Sequence, residues 1–502
     1  MVQPVWHTST GGQIVGVLGA LTVSLLILLL LLLLHRRGSR PALNLPPCPF
    51  PPLPLLANLL HLRKVLRSPL RHTFGPIFTL HLGRGPLVVV TSATLAHEAL
   101  VMEGRLFADR PRLPSRIVFT SNFRNINSAP YGPHWRTLRR NLVQEMLSVP
   151  KILSFKPGRT RVLTRLVSAV MSEAVSNQGV VSVYSNIRVA MFELLLLMCF
   201  GFHMPENDIL QMSALLDDVV RFAAGQIVDF FPLLNVFNRK KRKEGTLRAR
   251  QVQIFTSHLE KHNELKTLGQ LMPGSYVETL LQMNVPTDEM VTLCSEFMVG
   301  GTDTTATTLE WAMAQLVRNP SIQNKVYNQM RDIVGDRLVE ETDLQQLTYL
   351  QAVIKETLRL HPPGHMLLPH AVSECCKLGG YDIPSNAIVM FDVISMARDP
   401  AIWEEPLSFK PERFMEATAQ VDITGSKEVT MIPFGAGRRI CPGLGLATMH
   451  MEMFVAHLMQ SFEWASSPAA GEAVDLTENP VFTVRMKHPL KAVVRDRKKR
   501  KG

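Results

Sequence analysis

Asparagine-linked glycosylation acceptors are missing from this 502-residue chain: no Asn-x-Ser/Thr occurs with x other than proline. Cysteine is scarce as well. Cys48, Cys199, Cys294, Cys375, Cys376 and Cys441 are scattered without the spacing of a disulfide framework. The two absences exclude a disulfide-stapled secreted scaffold and agree with a body kept out of an oxidising lumen. Charge is thin, at 19% of residues, but 46% are hydrophobic, which excludes a disordered chain. No internal repeat and no second linker follow the proline-rich stretch near residue 50. Residues 57–494 therefore read as one domain, with a basic tail at 495–502.

The net charge of +12 invites a nucleic-acid reading, and its placement argues against one. Arg36, Arg37 and Arg40 carry +3; Arg239, Lys240, Lys241, Arg242 and Lys243 carry +5; Arg495–Lys501, with Asp496 among them, carries another +5. The remaining chain sits at −1, so a near-neutral body bears three basic patches. No nucleic-acid partner is expected. The tail at 495–502 reads as a solvated run or a contact with an anionic membrane.

What the chain does have, at its start, is an uninterrupted apolar run. Gly11–Leu34 holds no charged residue, and Leu25–Leu34 is nearly all leucine. At 1.5 Å per residue these 24 residues make about 36 Å, enough for a hydrocarbon core of about 30 Å. A cleaved signal peptide normally has a basic segment before a shorter apolar region and small residues after it. Here nothing basic precedes the run, and His35-Arg36-Arg37 follows directly. The expectation is an uncleaved single-pass anchor within residues 1–34 and a short lumenal N-terminus, because arginines just after a span stay cytoplasmic. Residues 35–56 then form a basic stop and a stiff spacer, Leu45-Pro46-Pro47-Cys48-Pro49-Phe50-Pro51-Pro52-Leu53-Pro54. The body would face the cytosol.

Apolar residues recur with helical period through 134–147, 160–175, 187–200, 208–224, 250–265, 288–318, 321–334 and 343–360. Short β-type runs occur at Ile77–Leu82, Leu87–Thr91, Lys377–Ile383 and Ile388–Phe391. The mixture predicts a mainly α fold with small β-sheets at one side, α+β in layer terms. Ile227–Leu234 abuts the basic run 239–243, and two readings stand: a segment dipping into the headgroup boundary, or a core helix followed by a solvated loop.

Four constellations carry chemistry. Phe434-Gly435-Ala436-Gly437-Arg438-Arg439-Ile440-Cys441-Pro442-Gly443 is a glycine-rich turn presenting one cysteine. A lone cysteine is usually a small buried hydrophobe. Glycines that permit close approach and a neighbouring arginine that favours thiolate suggest instead an axial ligand to a macrocycle. Glu356 and Arg359, at i, i+3, share a helix face ending at His361-Pro362-Pro363. Gly300-Gly301-Thr302-Asp303-Thr304-Thr305 puts two glycines mid-helix at about 1 kcal/mol each, which tight helix packing or a flat ligand would justify. Trp135 and Arg139, at i, i+4, can reach one acidic group together.

Together and in this order, the four resemble the signatures of the cytochrome P450 family. The family's cysteine loop, Phe-x-x-Gly-x-Arg-x-Cys-x-Gly, is matched at Phe434, Gly437, Arg439, Cys441 and Gly443. The resemblance runs from the anchor to about residue 490 and implies the P450 fold around a haem b (iron protoporphyrin IX). It implies that Cys441 ligates the iron and that Trp135, Arg139 and Arg439 bind the propionates. His370 stands where many relatives place arginine; a surface histidine is the other reading. Glu356, Arg359 and Arg413 become a structural triad. Gly301 lies over the oxygen-binding face, Thr304 hydrogen-bonds the oxygen ligand or a water beside it, and Asp303 links that network to bulk protons.

The resemblance also implies an oxygen-inserting activity on an apolar small molecule, with O2 as co-substrate. An anchor, basic stop and proline-rich spacer are the pattern of endoplasmic-reticulum members. Electrons are expected from a partner, an NADPH-dependent flavoprotein reductase. Arg136, Arg140, Lys427 and Arg438 could form its docking face. Substrate contacts are expected at about 110–125, 203–240, the helix before Thr304, Gly364–Leu368 with His365 among them, and near Val481-Phe482. Asp422-Ile423-Thr424-Gly425 and Asn141–Ser148 are similar to land-plant microsomal members, among them fatty-acid hydroxylases and epoxidases. Terpenoid or phenolic metabolism is the alternative, and a lipid hydroperoxide isomerase a more distant one. Relatives of that last type depart from the Asp-Thr pattern kept here.

Overall fold

The computed structural model describes residues 22–25, 43–49, 70–82, 85–223, 229, 241–415, 421–467, 474–480 and 483–497. Thr22–Leu25 are helical and belong to a first compact unit, residues 1–45; residues 46–502 form the second. The rest of the anchor 11–34, the basic stop, residues 50–54 of the spacer, most of 224–240, Val481-Phe482 and the tail beyond Arg497 lie outside the described residues.

The main helices of the body are α1 (Pro133–Asn141), α2 (Lys156–Ser176), α3 (Val183–Phe200), α4 (Glu206–Ala223), α5 (Lys241–Thr267), α6 (Thr287–Arg318), α7 (Pro320–Val334), α8 (Thr348–Leu360) and α9 (Leu444–Ser461). The strands are β1 (Ile77–Leu82), β2 (Gly85–Val90), β3 (Val180–Ser182), β4 (His370–Ala371), β5 (Cys376–Leu378), β6 (Tyr381–Ile383), β7 (Ile388–Phe391), β8 (Phe462–Ser466), β9 (Glu478–Pro480), β10 (Val484–Met486) and β11 (Lys491–Asp496). A four-stranded sheet has the order β1-β2-β7-β4, with β2 and β7 parallel and the outer pairs antiparallel. Its β-branched runs are buried on both faces, as Val88, Val89 and Val90 show. A second sheet, β3-β11-β8, and two hairpin-like pairs complete the β portion.

The central element is α6. Its 32 residues span about 48 Å. Asp288 and Glu289 in the first turn suit the positive end of the helix dipole. Asn319-Pro320 ends it, because Pro320 opens α7 at the first helical position, where its missing N–H costs nothing. Residues 305–317 are buried on every side, so this half is a core helix rather than an amphipathic one. α3 packs along it. Among the described residues α3 is the one helix long and apolar enough to cross a membrane, but 72% of it is buried inside the fold, which makes it a core helix.

Two helices differ from expectation. The pattern at 343–360 resolves into a short 3-10 turn at Glu341–Asp343 and then α8. Asp343 closes that turn in a capping box with Glu340 and pairs with Arg337 at 2.6 Å, so its side chain competes with helix propagation. α9 is absent from the periodic segments; its centre, His450–Met459, is buried all round.

α9 also carries Glu452, which burial pushes up to about 7 although Lys355 is near. A carboxyl raised in the folded state holds its proton between pH 4.5 and 7 while the unfolded chain releases it. Its contribution is thus present below 4.5 and lost as pH rises through 7. Glu452→Gln, neutral throughout, should gain stability relative to the parent across that window and level off above it. Urea midpoints of both proteins against pH measure this; parallel curves would refute it.

Candidate active site

The cysteine loop takes its shape from glycine. Gly435 and Gly437 are left-handed, at φ 71° and 66°. A Cβ on Gly437 would lie 1.8 Å from the Leu100 carbonyl oxygen, so no other residue lets the loop rest on the π-helical turn Glu98–Met102. The amide of Cys441 donates to the Phe434 carbonyl at 2.8 Å and closes the loop. Phe434 itself packs against the main core. Cys441 is half-buried. Burial pushes its thiol up, and the Gly443 amide and Arg139 oppose that.

The structure brings the predicted basic residues together beside this loop. Arg439 donates to the carbonyls of Ala108 (2.6 Å), Ile126 (3.1 Å) and Ala129 (2.6 Å) and lies 4.5 Å from the centroid of the Trp135 ring. Trp135 Nε1 donates to the same Ile126 carbonyl at 3.0 Å. Arg139 donates to the Ile440 carbonyl at 2.6 Å, tying α1 to the loop. His370 is not a surface histidine: it is buried in β4, its Nδ1 is 2.6 Å from the Phe107 carbonyl, and burial beside Arg110 and Arg439 holds it well below the usual histidine range.

Arg110 completes the cluster, and no sequence motif pointed to it. It donates to the carbonyls of Leu368 (2.8 Å), Pro369 (2.9 Å) and Asn127 (3.2 Å), and burial with Arg439 and Arg116 nearby pulls it down to about 9. Burial likewise lowers Arg439 to about 10, against the pull of Asp109 and Glu296. Among the described residues, the side-chain hydrogen bonds of Arg110, Arg139 and Arg439 end on carbonyl oxygens. A dianionic ligand edge would relieve the charge of these half-buried cations.

On α6, the two glycines divide the labour. A Cβ on Gly301 would meet Leu195 of α3 at 2.8 Å, so Gly301 lets α6 pack closely on α3. Gly300 faces open space. The helix runs through this point unbroken. Thr304 Oγ1 donates to the Gly300 carbonyl at 2.7 Å. Asp303, about 100° round the helix, points elsewhere. It accepts from Arg188 at 2.7 Å and Arg485 at 3.1 Å, and Arg188 continues to Asp217 at 2.5 Å and Ser213 at 2.6 Å. Asp303 therefore staples α6 to α3, α4 and β10, through an ion cluster that the sequence motif did not reveal.

Glu356, Arg359 and Arg413 are in contact. Glu356 is fully buried and receives Arg359 at 2.7 and 2.8 Å, Arg413 at 3.1 Å and the Lys410 amide at 2.8 Å. Arg359 spends its remaining donors on the carbonyls of Ala397, Pro406 and Ser408. Both arginines lie over Trp403. This fastens the connector 397–413 that precedes the cysteine loop. His365 Nε2 lies 3.1 Å from the Glu478 carboxylate. Arg136, Arg140, Lys427 and Arg438 are all exposed.

A family model described as Cytochrome P450 matches residues 46–491. The chain belongs to the cytochrome P450 family. It is 40% identical over 488 residues to cytochrome P450 89A9 of Arabidopsis thaliana, covering 91% of this chain and 94% of that one. It is 34% identical to isoflavone 2'-hydroxylase of Glycyrrhiza echinata, covering 90% and 92%. A zebra fish cytochrome P450 crystallised with progesterone superposes with a TM-score of 0.71 at 24% identity, covering 89% of this chain and all of the other, which shows the shared fold. This P450 is a monooxygenase of that family, and haem iron is its family's cofactor. The residues present fit such a group: a half-buried cysteine on a glycine-rich loop, beside a half-buried cation cluster whose side-chain hydrogen bonds, among the described residues, end on carbonyl oxygens.

Proposed function

We propose that this P450 is a membrane-anchored haem-thiolate enzyme that inserts one atom of O2 into an apolar small molecule and reduces the other to water. The observation that carries this reading is Cys441 on its glycine-shaped loop, with Arg439, Arg139, Trp135, His370 and Arg110 gathered beside it. Cys441 would supply the axial thiolate to a haem b, and the basic residues would hold its propionates. When bound, the haem supplies the oxygen-activating chemistry. Thr304 would present its hydroxyl on the oxygen side, turning from the Gly300 carbonyl to do so. Asp303, held by Arg188 and Arg485, would link the Thr304 side of the helix to solvent protons.

Electrons would come from an NADPH-dependent flavoprotein reductase docked on Arg136, Arg140, Lys427 and Arg438. The apolar run 11–34 would anchor the chain in the endoplasmic-reticulum membrane with the body in the cytosol. For the substrate, a fatty acid is the first candidate. A phenolic or terpenoid metabolite is the second, and the isoflavone 2'-hydroxylase similarity favours it.

The test is turnover in microsomes with added reductase, offering fatty-acid, terpenoid and phenolic pools side by side. Product that requires O2, NADPH and reductase supports the reading; product from a lipid hydroperoxide without them would replace it with the isomerase. Thr304→Ala should keep the reduced carbon monoxide spectrum yet release more peroxide per product, because a positioned proton donor is lost. Unchanged coupling would remove Thr304 from the proton route.

A further inference from the structure

Glu296 stands two turns before Thr304 on α6 and is not part of any motif. Its carboxylate is half-buried against the segment 121–127, where three donors converge on it. Asn125 Nδ2 (2.9 Å) and the Asn127 amide (2.6 Å) reach Oε1, and the Ile126 amide reaches Oε2 at 2.9 Å. The Ile126 carbonyl, which shares its peptide with the Asn127 N–H, faces the cofactor residues: it accepts Trp135 Nε1 and Arg439. One residue is thus held by its N–H from α6 and by its C=O from the propionate cluster.

The segment needs holding. Ser121, Asn122 and Phe123 are three successive non-glycine residues in the left-handed region, at φ 45°, 58° and 61°. Such backbone persists only where surrounding contacts over-determine it. Besides Glu296, α6 supplies Asp288 and Thr292 to Ser121 at 2.6 and 2.7 Å, and Glu289 to Arg124. Those contacts fix the left-handed turn itself. Glu296 fixes the stretch that leads from it to the cofactor cluster.

We propose that Glu296 is a positioning residue: by clamping residues 125–127 it sets the Ile126 carbonyl, and through it the orientation of Arg439 and Trp135 toward the cofactor's carboxylates. This rests on the haem-thiolate reading above. Glu296→Gln is the probe, because its amide would put a donor against the Ile126 N–H or against the pair on Oε1. The variant should keep the parent's thiolate carbon monoxide band, since Cys441 is untouched. Amide exchange at Ile126 and Asn127 should rise about tenfold, and haem transfer to apomyoglobin should accelerate by about tenfold, the scale seen when a supporting residue of a bound metal group is lost.

The haem midpoint potential should fall, because Arg439's positive charge is less well placed. Deleting a nearby negative charge alone would raise it, so a rise overturns the proposal. Parental exchange at both amides overturns it too, as does parental haem transfer despite faster exchange. If Glu296→Gln does not fold, Asn125→Ala removes one donor and should move exchange and haem transfer in the same directions; no movement there overturns the clamp. A parent without the thiolate band overturns the haem-thiolate reading and this proposal together. A normal parent with an unaffected variant overturns only this one.

Discussion

Cys441→Ala should leave a folded protein with no strongly red-shifted Soret band in its reduced carbon monoxide difference spectrum and with reductase-supported turnover at background. The loop geometry argues for a selective loss. Its shape comes from the left-handed Gly435 and Gly437, from Gly437 seated on the Leu100 carbonyl, and from the Cys441 amide bonded to Phe434. None of these uses the sulfur. Alanine keeps the backbone and removes one atom, so unfolding would not explain the spectral change. Reduced-minus-oxidised spectra with carbon monoxide, beside far-UV dichroism, check both halves. A variant that kept the band would show that another residue ligates the iron.

The second large effect is expected at Glu356. Glu356→Gln should give protein with little or no haem, and most of it insoluble. The side chain is fully buried and neutralises two arginines, of which Arg359 is itself completely buried. Removing one member of such a pair costs about 3–5 kcal/mol because the charge left behind is uncompensated. That is a large part of a typical folding stability of about 5–15 kcal/mol. Arg359 also fastens the carbonyls of Ala397, Pro406 and Ser408, so its displacement loosens the connector ahead of the cysteine loop. The haem-to-protein ratio of the solubilised fraction measures the effect; a parental ratio would reduce the triad to an ordinary ion pair.

How much of this was legible beforehand depended on whether the information was local. The cysteine loop, the Glu356–Arg359 pair and the Trp135–Arg139 pair are each contained within a few residues, and each occupies the place its spacing predicted. Long amphipathic helices were legible for the same reason. α9 was not, although α3 and the buried half of α6, equally enclosed, were. The β3-β11-β8 sheet was not, because β3 has three residues and its partner β11 lies some 300 positions away in the chain. Arg110, Arg188, Arg485 and Glu296 escaped because their roles exist only after folding. Arg485 reaches Asp303 across 182 positions, and Arg110 looks like any loop arginine until β4 arrives beside it. The packing of Gly301 against Leu195 is equally non-local, since α3 lies some 100 positions earlier.

The contacts of Arg439 have a temporal meaning too. Its partner carbonyl at Ala108 is 331 residues earlier in the chain, and Arg139 waits 301 residues for Ile440. At a synthesis rate of about 5–20 residues per second, the early half of the cluster is made about 15–65 s before the late half exists. For that interval Arg110, Trp135 and Arg139 have neither the cysteine nor Arg439 to meet. The cofactor pocket is therefore among the last parts of the molecule that can form, and capture of the prosthetic group is an event at the end of translation or after it.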